Sequence, residues 1–116
     1  MVEHHPARLD LIFRALADHT RRAMLERLAR GERTVGELAA PHDMSLAAAS
    51  KHIRTLERAG LVKRTVRGRV HYCRIDPQPL ASADDWLRGY ERLWDMRIER
   101  LAELLRHPGN DPSNSE

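Results

Sequence analysis

The sequence predicts a small, mainly helical domain interrupted once by a β-hairpin, in the order α-α-α-α-β-β-α. Three observations carry that prediction. Apolar residues recur at helical spacing from Leu9 to Leu56. The pattern then switches to β-branched residues on either side of a glycine turn, over residues 61–75. Helical spacing returns in one long stretch from Leu80 to Arg106. A period of 3.6 gives way to a period of 2 and returns, so the hairpin lies between helices.

Each element has its own signals. Leu9, Ile12, Phe13 and Leu16 follow the i, i+3, i+4, i+7 pattern, and Pro6 suits the first turn of that helix. The second helix has Asp18 as N-cap, Met24, Leu25 and Leu28 facing inward, and Gly31 as its stop. Thr34 and Glu37 form a capping box that opens a short third helix carrying Val35, Leu38 and Ala39, with Pro41 ending it. Ser45 is the N-cap of a longer fourth helix, whose inward stripe reads Leu46, Ala49, Ile53 and Leu56. Gly60 supplies the left-handed residue after it, and Leu61 the hydrophobic contact that follows such a cap.

Residues 61–65 and 70–75 read as two strands joined by Val66-Arg67-Gly68-Arg69, with Gly68 taking the positive φ. Asp76-Pro-Gln-Pro79 breaks the chain before the last helix. That helix presents a wide apolar stripe: Trp86, Leu87, Tyr90, Leu93, Trp94, Ile98, Leu101, Leu104 and Leu105. Residues 1–106 are therefore expected to form one domain. Residues 107–116 are polar and rich in breakers, and disorder is expected there.

A short helix, a tight turn and a second helix with one buried stripe describe a helix-turn-helix, and a hairpin directly after it is a wing. Charge points to the partner. Residues 45–74 hold eight basic side chains (Lys51, Arg54, Arg58, Lys63, Arg64, Arg67, Arg69 and Arg74) against Glu57. That segment carries +7, leaving −4 for the remainder of a chain with a net charge of +3. Such concentration fits double-stranded DNA. With the stripe of the fourth helix turned inward, Ala47, Ala48, Ser50, Lys51, His52, Arg54 and Thr55 lie outside, behind Ser45 at its head. The first half of such a helix enters the major groove. Ser50, Lys51 and Arg54 are the main candidate polar contacts, and Ala47 and Ala48 allow close approach to a thymine methyl. His52 is a candidate donor to a phosphate or base. Arg67 and Arg69 at the wing tip suit the backbone or a narrow minor groove, and Lys63 and Arg64 suit phosphates.

Composition sets further bounds. One domain accommodates 116 residues, and 41% apolar content with only 4% aromatic residues implies a core of Leu, Ala, Val and Ile. Cys73 is the sole cysteine, so no intramolecular disulfide forms. No stretch reaches the roughly 18 apolar residues of a membrane span, and the first ten residues lack a secretory apolar run. A cytoplasmic location with no membrane contact is expected. No Gly-rich phosphate loop, nucleophile motif or spaced ligand set is present, so an enzyme is not expected.

The stretches FRALADHTRRAMLERLARGERTVGELA and MSLAAASKHIRTLERAGLVKRTVRGRVHYCRIDP, followed by the aromatic-rich last helix, resemble the ArsR-type (arsenic repressor-like) family of winged helix-turn-helix regulators. The resemblance spans residues 9 to about 105, with LADHTRR, TVGELA, SKHIRTLERAGLV and the wing in the family's order. It implies a repressor on a palindromic operator, dimerised through its first and last helices. Leu9, Ile12 and Phe13 would then join the stripe of the last helix in a homodimer seam.

Many such relatives sense metals. The family's thiol site needs cysteines around the third helix, where this chain reads TVGELAAPHDMS; its zinc site needs Asp and His on the last helix, which offers Asp84, Asp85 and Asp95 but no histidine before His107. No cofactor is expected, and the seven histidines, His4, His5, His19 and His42 among them, form no spaced set. A redox-responsive regulator built on Cys73, a regulator with an unidentified small-molecule inducer, and a metal sensor with a nonstandard site are the alternatives within the same fold. Outside it, the alternative is an interaction module whose last helix binds another protein, which leaves the +7 segment unexplained.

Overall fold

The computed structural model describes residues 6–107. Helix α1 spans Pro6–Leu16 and α2 His19–Ala29. A two-residue strand β1 (Arg33–Thr34) leads into α3 (Val35–Ala39) and a 3-10 turn (Ala40–His42). Then come α4 (Leu46–Arg58), β2 (Val62–Arg67), β3 (Val70–Ile75) and α5 (Gln78–Arg106). The chain divides into two compact units, one up to Ala83 and one from Asp84 onward. The expectation for residues 108–116 lies outside the described residues, as do His4 and His5.

The helix boundaries follow from local chemistry. Asp18 Oδ2 accepts from the Arg21 backbone N–H at 3.0 Å and caps α2. The Thr34–Glu37 capping box closes in both directions, at 3.1 and 3.0 Å. Ser45 Oγ accepts from Ala48 N–H at 3.1 Å at the head of α4. At its other end, Leu61 N–H reaches Leu56 O and Gly60 N–H reaches Glu57 O, both at 2.9 Å, with Gly60 at φ +76°. Those two bonds are the paired 6→1 and 5→2 closure of a Schellman cap.

The core of the first unit is aliphatic. Ile12, Met24, Leu38, Ile53, Leu56 and Leu61 are fully buried, with Cys73 beside them. Helix α1 packs on α2 and α4, α3 on α4, and α2 on β3, so α4 is gripped from several sides. Leu9 and Ile12 belong to this core, at 8% and 0% exposure. This corrects their assignment to a dimer seam: a side chain already enclosed in one copy has no surface left to bury against another. Phe13 is half-buried.

Two further expectations change. The wing is a three-stranded antiparallel sheet in the order β1-β3-β2, because Arg33 pairs with Cys73 and Thr34 with Tyr72. Two residues are too few to produce a readable alternation. In the hairpin, Arg67 pairs with Val70, so the loop is the two residues Gly68 and Arg69 rather than four. Helix α3 ends at Ala39, just before Pro41, as read; the chain then runs through the 3-10 turn that holds Pro41 to Asp43, which takes a left-handed φ of +47°. A short polar side chain tolerates that conformation better than most.

The second unit's described part is the continuation of α5. Every residue from Glu91 to Leu101 is exposed, including Leu93, Trp94, Ile98 and Leu101. Trp86 and Leu104 are half-buried, while Leu87, Tyr90 and Leu105 are exposed. The Trp86 and Tyr90 rings meet at 4.6 Å between centroids with a 52° tilt.

Candidate nucleic-acid interface

Helix α4 turns Ala49, Ile53 and Leu56 into the core. Leu46 does not join them: it is 61% exposed, contrary to the stripe read from the sequence. It is the first residue of the helix, where no preceding turn of α4 flanks it, and it borders two surface crevices instead. On the outer face, Ala47, Lys51 and Arg54 are exposed, and Ala48, Ser50 and Thr55 are half-buried. Ser45 is exposed and committed to its cap. The Thr55 hydroxyl donates to Lys51 O at 3.2 Å, so its proton is spent on the helix.

His52 is tied inward as well. Its Nδ1 lies 3.2 Å from Arg21 Nη1 and 3.8 Å from Asp18 Oδ2. Arg21 also donates through Nε to Ala15 O at 2.8 Å and through Nη2 to Arg14 O at 2.9 Å. Arg22 Nη1 donates to Leu16 O at 2.7 Å. The two arginines thus satisfy carbonyls left open at the C-terminal end of α1, the need every helix end creates. Through Arg21, that helix end is coupled to the outer helix α4. The Asp18 carboxyl is held below the usual carboxylate range, chiefly by the Arg21 backbone N–H, against a smaller opposing effect of burial.

The wing's cations divide into paired and unpaired. Arg64 Nη2 donates to Glu57 Oε1 at 2.7 Å, and its Nη1 lies 3.3 Å from His71 Nδ1. Arg67 pairs with Glu32 at 3.0 Å, and its guanidinium carbon stands 4.5 Å from the Tyr72 ring centroid. Among the described residues, Lys51, Arg54, Lys63 and Arg69 have no ion-pair partner. These four are exposed. The +7 segment therefore contains two arginines held by carboxylates, one of them outside the segment. The pairings of Glu32, Glu57 and His71 with these arginines were not foreseen from the sequence, since nothing in residue spacing announces a pair formed across a sheet.

An open crevice of about 440 Å³ lies between α4 and the hairpin, bordered by Ser50, Arg64, Arg69 and His71. Cys73 is fully buried at the centre of the sheet, and burial pushes its thiol above the ordinary value. Among the described residues, no three His, Cys, Asp or Glu side chains gather as a metal ion requires, and no helix is long and apolar enough to cross a membrane.

Residues 16–65 match a family described as "Helix-turn-helix domain". The chain is 38% identical to the HTH-type transcriptional regulator Rv2034 of Mycobacterium tuberculosis over 102 residues, 88% of this chain and 92% of that protein. It is 27% identical to the transcriptional repressor SdpR of Bacillus subtilis, over 71% of this chain and 91% of that protein. A crystal structure of an ArsR family transcriptional regulator, RHA00566, superposes with a TM-score of 0.76 at 45% identity, covering 81% of this chain and 97% of the other. The homodimeric winged helix-turn-helix domain of Mb0332 from Mycobacterium bovis gives a TM-score of 0.57 at 29% identity, covering 84% of each chain. These relatives are regulators of transcription rather than enzymes. With mainly helical architecture, capped outer helix and hairpin wing all in the same order, this chain belongs to the ArsR family of winged helix-turn-helix transcriptional regulators.

Proposed function

We propose that the chain is a cytoplasmic, homodimeric repressor that occupies a palindromic operator, with α4 in the major groove and the wing on the backbone or minor groove. The observation that carries this reading is the outer face of α4: Ala47, Lys51 and Arg54 exposed on a helix whose opposite face is locked into the core. Small residues let the helix approach the base edges, and a rigid mount fixes which bases its long cations meet. Lys63 and Arg69 extend the unpaired charge onto the wing. In the dimer, two α4 helices meet half-sites about 34 Å apart. The apolar face of α5, from Leu87 to Leu105, supplies the seam that joins the copies, and residues 1–106 act as one DNA-binding and dimerisation domain. The homodimeric relative and the repressor relative support both parts of the reading. Repression is by occupancy and, on the reading of the sequence, needs no metal.

Fluorescence anisotropy tests it, on DNA from upstream of the protein's own gene against a random duplex, at two salt concentrations and with or without chelator. Sequence-preferring binding unaffected by chelator is the expected result. Lys63 and Arg69 of two copies make four phosphate contacts, so log K should fall with log salt at a slope of about −4 or steeper. Absence of binding to any duplex would overturn the proposal, and a chelator effect would overturn its metal-independence.

A further inference from the structure

The crevice between α4 and the hairpin has Leu46 and Ser50 on one side, Arg64, Arg69, Val70 and His71 on the other, and the start of α3, residues 34–36, as its third wall. Resting on the DNA-binding reading, we propose that it seats one backbone phosphate of each operator half-site, with His71 Nε2–H and Arg69 as its donors and with the Glu57–Arg64 pair positioning His71.

Arg64 Nη1 and His71 Nδ1 meet across the hairpin. A guanidinium can only donate, so His71 Nδ1 is the acceptor in that 3.3 Å contact. The ring proton then sits on Nε2, leaving an N–H donor on the edge turned away from Arg64. Arg64 is itself held: Nη2 binds Glu57 at 2.7 Å, and the side chains of the two are 21% and 30% exposed. Both of its terminal nitrogens are occupied by partners on the protein. Its charge is balanced by Glu57, so it acts on the DNA through His71, as a positioning residue. This revises the sequence expectation, which placed Arg64 itself on a phosphate.

What remains at the crevice has the chemistry of an anion seat. Beside the apolar Val35, Leu46 and Val70, Arg69 brings an unpaired cation, His71 an N–H donor and Ser50 a hydroxyl, and no carboxylate borders the space. About 440 Å³ open to solvent accommodates a phosphodiester with its flanking sugars. Its place between the outer helix and the wing is where the duplex backbone has to pass if both elements touch DNA.

The test uses a duplex selected in vitro by the full-length protein, scanned with single methylphosphonates that remove one phosphate charge at a time. For the wild type, one position per half-site is expected to weaken binding about tenfold, the scale of one charge-assisted hydrogen bond. His71→Leu should lose about tenfold on the unmodified duplex and nothing further at that position, while keeping its losses at the others. His71→Gln, which restores an amide donor near the Nε2 position, should recover most of the affinity. Glu57→Gln should blunt the sensitivity at the same position alone, an effect that a general loss of packing would not reproduce. Selection that enriches no sequence, with no binding to any duplex, would overturn the DNA-binding reading itself. Binding that survives His71→Leu, or losses that simply add at every position, would overturn the seat and leave that reading intact.

Discussion

Arg67 and Glu32 form an ion pair at 3.0 Å across 35 residues of sequence, tying the end of β2 to the segment that precedes β1. The guanidinium also stacks over Tyr72. Arg67 is therefore engaged before any DNA arrives, whereas Arg69 at the loop is unpaired. The two wing arginines, equivalent in the sequence, are not equivalent in the fold. Replacing Arg69 by Ala is expected to weaken DNA binding more than replacing Arg67. Glu32→Ala releases a cation and should steepen the salt dependence by about 2 per dimer, one added phosphate contact per copy. Thermal stability should barely move, since an exposed pair contributes about 0–1 kcal/mol. Anisotropy titrations at several salt concentrations check this; an unchanged slope for Glu32→Ala would mean that Arg67 stays off the DNA.

Asp18 links folding to acid. Its carboxylate caps α2 and faces His52 on α4. Asp18→Ala should cost about 1 kcal/mol at neutral pH, the usual loss for a removed N-cap, and Asp18→Asn less, because an amide oxygen still caps. The folded pKa is depressed, so the benefit of the charge is fully present above the unfolded value of about 3.9 and disappears as pH falls through the folded one. Urea unfolding of wild type and Asp18→Asn should therefore converge as the pH is lowered below about 4. A gap that persists there would assign the effect to packing instead of charge.

The helices were legible because each carries its own boundary chemistry. Asp18, the Thr34–Glu37 box, Ser45 and Gly60 all act within a few residues of themselves, and all behave as read. What escaped is non-local. The alternation that marks a strand does not exist in the two residues of β1, and its pairing with Cys73 and Tyr72 crosses about 40 positions. Leu46 fits the inward spacing of α4, yet spacing says nothing about whether a neighbour stands opposite the first turn. At the interface, which residues are basic was plain, and which of them are free was not. Glu57 holds Arg64 and Glu32 holds Arg67 only because the sheet brings them together.

Cys73 bears on the redox alternative. It is fully buried, and burial raises its thiol pKa, with Arg64 opposing in part. The reactive thiolate is thus disfavoured in the folded protein. Iodoacetamide should modify the chain slowly in native buffer and quickly in urea, and peroxide should leave DNA affinity unchanged. Cys73→Ser should destabilise more than Cys73→Ala, because a buried hydroxyl without a partner costs about 1–3 kcal/mol. The raised pKa also has a sign. Above about pH 8.5 the unfolded chain gains by ionising its thiol while the folded one does not, so stability should decline there. Rapid labelling of the native protein would restore the redox reading.

Two glycines adopt left-handed backbone for different surroundings. Gly60 has φ +76°, and a Cβ there would meet Pro79 Cγ at 3.4 Å; Gly68 has φ +64° with nothing within 4 Å. Backbone strain alone costs about 1–2 kcal/mol for a residue other than Gly, and less for Asn. Gly68→Asn should accordingly be nearly neutral in thermal unfolding and leave the hairpin intact. Gly60→Val should be clearly destabilising, since strain and crowding act together at the end of the outer helix. Equal effects at the two sites would show that the neighbour at Gly60 does not matter.

The proposed seam lies on the exposed apolar face of α5. Trp94 is 63% exposed and Leu105 73%, with Ile98 and Leu101 between them on the same face. On a helix, positions 87, 94 and 101 recur every seven residues and 98 and 105 follow one turn on, giving a continuous apolar strip about five turns long. Leaving such a strip in water is unfavourable by about 25 cal/mol per Å² of apolar surface, so association is the expected outcome. Trp94→Arg places a charge in the middle of the strip and should yield monomers by sedimentation equilibrium. Its operator affinity should collapse to that of one half-site, while circular dichroism of the aliphatic core remains that of the wild type. Leu101→Glu, one heptad on, should do the same, which separates loss of the seam from any special role of the indole. In the wild type, tryptophan emission should shift to the blue as concentration rises through the dimerisation range. A Trp94→Arg protein that sediments as a dimer would mean that the copies join elsewhere, and that this face of α5 serves another partner.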